Sequence, residues 1–211
     1  MRLSNCITCY LVAVEVADLL IILEIILRPI NVDYFPWSFL DITPVCSILS
    51  VLSSAATDCS VWFTVIFCFD RFVVMCCQKM KIKYCTEKTA ALILATTSIL
   101  LLLKNIPFYF VYQPEELIGS TPRYCSLKPR FKTEPKWMAF SQFDTILTPL
   151  SPFVLIIFFN TLTARHILLT SRVRKGLRRV NKGKNPSDPE MQSRRKSVIL
   201  LFAISGSFIL L

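Results

Sequence analysis

An apolar stretch begins at Cys46, closes on Asp70-Arg71-Phe72 and runs into the basic segment Lys79, Lys81 and Lys83. At 1.5 Å of rise per residue, Cys46 and Arg71 stand about 37 Å apart along a helix, slightly more than the roughly 30 Å of hydrocarbon in a bilayer. A helix of that length has one end on each side of a membrane. An Arg beside an Asp at its rim is costly unless the two meet another charge, water or a partner protein. The stretch therefore points to signalling or transport rather than plain anchoring.

Further apolar runs extend from Ile7 to Leu27, Cys46 to Cys76, Thr89 to Tyr109, Met138 to Leu169 and Ser197 to Leu211, to be read against the 17 to 25 residues a span needs. Hydrophobic residues make up 54% of the chain and glycine numbers only 4, so the expected fold is all-α, a multi-pass transmembrane helix bundle. The net charge of +10 does not indicate nucleic acid, because the basic residues flank apolar runs. Nine Lys or Arg fall in the loop from Val173 to Lys196, which is expected to face the cytosol. The opposing loop carries Arg123, Lys128, Arg130, Lys132 and Lys136, partly offset by Glu115, Glu116 and Glu134. Met1-Arg2-Leu3-Ser4 is too short for a cleavable leader, and the last run stops without a polar flank. Both ends are expected to be breaks in a longer protein.

The nine cysteines do not form a disulfide framework. Cys59 and Cys68 lie inside a span, and Cys76, Cys77 and Cys85 lie at the reducing face. Cys46 and Cys125 fall on the oxidising side, either as two free thiols or as a bridge worth about 2 to 4 kcal/mol. Cys6-Ile7-Thr8-Cys9 lacks a second pair or a nearby His and reads as apolar filling, not a zinc site. Cys76 and Cys77 are candidates for palmitoylation.

Polar residues inside the spans carry the functional reading. Asp18 sits at mid-membrane, where an acid costs about 2.5 to 3.5 kcal/mol. Ser50, Ser53, Ser54, Thr57, Ser60 and Thr64 recur at three- and four-residue steps as one stripe with Asp58 beside it, expected to face a bundle interior. The plain alternative has these hydroxyls bonding back to their own helix carbonyls. Glu24 and Arg28 stand in the order that favours a helical ion pair, and mutual neutralisation is their simplest role. Pro149 and Pro152 free carbonyls in the fourth run, with Asp144 about two turns outward. Candidate ligand contacts are Ser53, Ser54 and Thr57 with Asp58 and Asp144 for an ammonium group, and Arg28 for a carboxylate. A solvated interfacial acid is the alternative for Asp144.

Taken together, Val16-Ala17-Asp18-Leu19-Leu20, Trp37, Cys46, Asp70-Arg71-Phe72, Cys125 and Pro152 resemble the rhodopsin-class (class A) G-protein-coupled receptors. Within that class, Phe69-Asp70-Arg71-Phe72, the run from Asp144 to Pro152, Asn160, and the segment Ser171 to Arg178 look like the receptors called probable G-protein coupled receptor 139. The resemblance covers the second helix of the seven to the first part of the sixth, and it implies a fragment lacking helices 1 and 7. It gives Asp18 and Ser60 the role of a sodium pocket, and Cys46 and Cys125 the class disulfide. Asp70, Arg71 and Phe72 with Asn160 become the G-protein coupling set, Arg71 restrained by Asp70 at rest, and Phe208 the sixth-helix aromatic that repacks. Implied partners are a heterotrimeric G protein, membrane lipids and a small extracellular ligand, aromatic amino acid-like or a small peptide, at the plasma membrane.

Departures from the class pattern are equally specific. The stretch Thr89 to Tyr109 has no Trp, Asn160 replaces a tyrosine, Gln78 a proline, and Arg194 the acid that would lock Arg71, which predicts high basal activity. A shortened chain of this kind, four helices plus part of a fifth, is expected not to close the bundle, to reach the cell surface poorly and to be non-signalling. A transporter or channel fragment is the alternative, but no repeat of broken half-helices is visible. An enzyme is not expected, because His166 is the single histidine and lies beside the basic inner loop.

Overall fold

The computed structural model describes residues 5–34, 40, 42–76, 86–118, 121–123 and 125–180. The run Ser197 to Leu211 with Phe208, loop residues 181–196 with Arg194, and Trp37, Gln78, Lys79, Lys81, Lys83, Cys77 and Cys85 lie outside the described residues, as does the side chain of Arg28.

Helix α1 covers Asn5–Tyr34, α2 Thr43–Cys76 and α3 Glu87–Asn105. Thr86 caps α3, accepting a hydrogen bond from the Thr89 amide at 3.2 Å. Pro107 ends the α-helical pattern, and the chain tightens into a 3-10 turn over Ile106–Val111. After the outer loop come the short α4, Pro129–Thr133, and the long α5, Pro135–Val180. Among the described residues, four segments are long and apolar enough to cross a membrane: Cys6–Ile26, Thr43–Cys76, Glu87–Val111 and Pro135–Thr170. The bundle is all-α across these spans, and α5 continues past its apolar part into the basic segment that follows.

Helix α2 is the axis of the bundle. Of its most apolar window 56% is buried, against 17% for α1 and α5 and 11% for α3. Its neighbours present leucines and isoleucines outward, including Leu19, Ile25, Leu92, Leu100, Ile146 and Leu150. In a bilayer such exposure carries no hydrophobic penalty. At the inner end Cys6 and Tyr10 of α1, Val65, Phe67 and Cys68 of α2, Ala90 of α3 and Ile156 of α5 form one buried cluster that joins all four helices.

The outer loop contains strands that hydrophobic periodicity alone did not announce. Strand β1 (Tyr112–Gln113) pairs antiparallel with β4 (Ser126–Leu127), and β2 (Glu116–Ile118) with β3 (Thr121–Arg123). The disulfide between Cys46 and Cys125 fixes this ribbon to the outer end of α2, with the two Cα atoms 6.3 Å apart. That separation is within the usual range for a bridge. Among the described residues, Cys6, Cys9, Cys59, Cys68 and Cys76 take part in no disulfide.

Candidate functional site

The hydroxyl stripe of α2 does not act as one face. Ser53 donates to Oε2 of Glu24 and Ser60 to Oδ1 of Asp18, so two of its members reach across to α1. Ser54 instead bonds back to the Ser50 carbonyl, Thr57 to that of Ser53, and Thr64 to that of Ser60, all at 3.0 Å. Ser54 and Thr57 are exposed. The periodicity held both behaviours, because a Ser or Thr one turn from any carbonyl can always back-bond.

Two polar centres therefore flank α2. The first lies toward α1, where Asp18 is half-buried against buried Ser60. Both supply hard oxygen atoms of the kind an alkali or alkaline-earth cation prefers. Beside them a cavity of about 800 Å³ opens among α1, α2 and α3, its lining including Ala17, Leu20, Glu24, Ser53, Phe63 and Leu102. Its size and mostly apolar wall with a few convergent polar groups fit a small-molecule site. Neither Asp58 nor Asp144 lines it.

The second centre lies between α2, α3 and α5. Asp58 and Asp144 converge as expected, but the ammonium between them belongs to the chain itself. Lys104 Nζ stands 3.0 Å from Asp58 Oδ2, 2.6 Å from Asp144 Oδ1 and 3.0 Å from Thr148 Oγ1. Asn105 adds a hydrogen bond to Asp58 Oδ2 at 2.7 Å, and Thr148 donates to Asp144 Oδ1 at 3.2 Å. Asp58 is 4% exposed. Buried that far, its carboxyl group is met by a cation and an amide.

At the inner end of α2, Asp70 and Arg71 are buried and joined, Arg71 Nη2 to Asp70 Oδ2 at 2.8 Å. The guanidinium carbon also lies 5.3 Å from the centre of the Phe67 ring, a cation-π arrangement. The thiol of Cys6 on α1 donates to Asp70 Oδ1 at 3.8 Å. Arg71 Nε has no acceptor among the described residues, so part of the guanidinium's bonding capacity is unspent. Phe69 and Phe72 both pack on Phe159 of α5, at 5.3 and 6.0 Å between ring centres, which brings Phe72 beside the segment bearing buried Asn160.

Lys104, Asn105, Thr148 and Phe159 carry no role in the sequence reading, and Cys6, read there as apolar filling, both fills the inner cluster and donates to Asp70. A signal for Lys104 existed: it is the lone Lys or Arg in the run Thr89 to Tyr109, facing spans that carry two unmatched acids.

These features, a disulfide-tethered outer ribbon, apolar spans around a polar central helix and a buried Asp-Arg pair at its inner end, describe a membrane receptor bundle. The sequence pattern of the 7 transmembrane receptor (rhodopsin family) matches residues 1–211. The chain belongs to that family, a family of receptors that couple to G proteins. A search of curated proteins returned no match.

Proposed function

We infer that the chain is a plasma-membrane receptor that senses a small extracellular ligand, aromatic amino acid-like or a small peptide, and activates a heterotrimeric G protein. The observation that carries this reading is the buried Asp70-Arg71 pair at the inner end of α2, 2.8 Å across and flanked by Phe72 and Phe159. A guanidinium held by its neighbour, with one nitrogen still unmatched, is suited to exchanging that contact for a partner's acceptor.

In this reading Asp70, Arg71, Phe72 and Asn160 form the coupling face. Ser53, with Glu24 added through it, and Asp58 and Asp144 form the ligand site, with Arg28 for a carboxylate, whereas Ser54 and Thr57 are exposed, bond back to their own helix and stand apart from it. Asp18 and Ser60 are the residues that would hold a sodium ion, whose charge would offset the Asp18 carboxylate. Resemblance to the receptors called probable G-protein coupled receptor 139 supports an aromatic amino acid as the first probe.

The test is guanine-nucleotide exchange on purified G protein, using membranes containing the chain and L-phenylalanine or L-tryptophan. Arg71→Ala should abolish exchange while leaving probe binding intact. Exchange that survives this substitution removes Arg71 from the coupling face. Unchanged probe affinity in Asp144→Asn removes Asp144 from the ligand site.

A further inference from the structure

We propose that Lys104 is a built-in ammonium clasp, a positioning residue that pins the outer half of α5 to α2 and α3 and that a ligand amine must displace to reach Asp144. The displacement step rests on Asp144 being a ligand contact; the clasp does not.

The chemistry of the cluster is complete without a guest. An ammonium has three protons to donate. Lys104 has three acceptors in reach, Asp58 Oδ2 at 3.0 Å, Asp144 Oδ1 at 2.6 Å and Thr148 Oγ1 at 3.0 Å. Those acceptors come from α2 and α5, while Lys104 and Asn105 close α3, so a single cation ties three helices. Lys104 also lies in the last turn of α3, where a positive charge meets the helix dipole favourably.

Accessibility separates the two acids. The Asp58 side chain is 6% exposed and that of Asp144 22%, with Lys104 at 33%. Asp58 is therefore shielded, whereas Asp144 and the Lys104 ammonium are partly exposed. Two carboxylates and one ammonium leave one net negative charge, enough to attract a cation but not to hold two strongly. Amine binding at Asp144 thus competes with the clasp. Because Asp144 and Thr148 lie just outward of Pro149 and Pro152, where ladder bonds are already missing, the segment freed is the one least restrained by its own helix.

The first measurement needs no ligand. Thermal midpoints of the detergent-extracted chain are taken for Lys104→Met, Asp144→Asn and the double variant. Each single change should lower the midpoint and the double should lower it by less than their sum; strict additivity overturns the clasp. Should Lys104→Met fail to accumulate, the neutral triple Lys104→Met, Asp58→Asn, Asp144→Asn should restore it, and failure of that rescue also overturns the clasp.

The second measurement uses phenethylamine, an aromatic cation without a carboxylate. Its affinity should rise at least tenfold in Lys104→Met and fall back when Asp144→Asn is added. Unchanged or weaker binding in Lys104→Met overturns the displacement. Binding that never responds to Asp144→Asn instead overturns Asp144 as a ligand contact, and the displacement with it, while a measured coupling between Lys104 and Asp144 upholds the clasp.

Discussion

On α2, Arg71 is held by the carboxylate of the residue before it, Nη2 to Asp70 Oδ2 at 2.8 Å with both side chains under a tenth exposed. Consecutive residues on a helix diverge by about 100° and do not normally face each other. The contact forms because Arg71 lies close to the ring of Phe67, one turn back, while Cys6 of α1 approaches Asp70 from the other side. The restraint is thus local to α2, with α1 supporting the acid.

Asp70→Asn should raise nucleotide exchange in the absence of any ligand. A hydrogen bond to a charged group contributes about 1.5 to 3 kcal/mol, and each 1.4 kcal/mol is tenfold in an equilibrium. Basal exchange should therefore rise by roughly ten- to a hundredfold. Cys6→Ala should have a smaller effect in the same direction. Basal exchange equal to that of the parent in Asp70→Asn would show that the pair does not restrain Arg71.

The bond from Ser60 to Asp18 should appear as stability. Removing the hydroxyl in Ser60→Ala leaves a half-buried carboxylate without this donor, a cost of about 1 to 3 kcal/mol. If Asp18 and Ser60 hold sodium, the extracted chain should melt higher in sodium chloride than in N-methylglucamine chloride, and the difference should vanish in Asp18→Ala. An equal salt response in that variant removes Asp18 from any cation site.

The bridge from Cys46 to Cys125 closes a loop with a sequence separation of 79 residues. Its loss in Cys46→Ser should cost about 2 to 4 kcal/mol. The effect should be confined to the outer end, since the inner cluster around Cys6, Phe67 and Ile156 does not depend on it. Hydrogen exchange should therefore speed up in β1 and β4 while the inner part of α2 stays protected. A uniform loss of protection would contradict a local role.

Helix existence was legible because a membrane span leaves a composition signal longer than any turn: the runs beginning at Ile7, Cys46 and Met138 lie within α1, α2 and α5, and the one beginning at Thr89 fills α3 and enters the 3-10 turn after it. The pairing of Cys46 with Cys125 and the convergence of Asp58 with Asp144 were also legible. What periodicity could not deliver was partner choice. Ser53 and Ser54 are chemically alike and adjacent, yet one crosses to α1 and the other returns to its own helix, because about 100° of rotation separates them. Lys104 escaped for a similar reason, since a base near a helix end looks solvated until the facing helices are in place. The short strands of the outer loop are set by backbone pairing over two or three residues, too brief for an alternation to register.

That divergence gives a paired prediction. Ser53→Ala removes the hydroxyl that reaches Glu24 at the edge of the large cavity, so a part-buried carboxylate loses a donor. The expected cost is about 1 to 3 kcal/mol of stability, with weaker binding of L-phenylalanine if the cavity is the ligand site. Ser54→Ala removes only a bond to the Ser50 carbonyl on an exposed side, which the helix ladder already engages, so its effect should stay within about 0.5 kcal/mol. Melting of the two variants side by side decides the matter. Equal effects would mean that both serines act only through their own helix, and the polar links between α1 and α2 among the described residues would then be those of Ser60 with Asp18 and of Cys6 with Asp70.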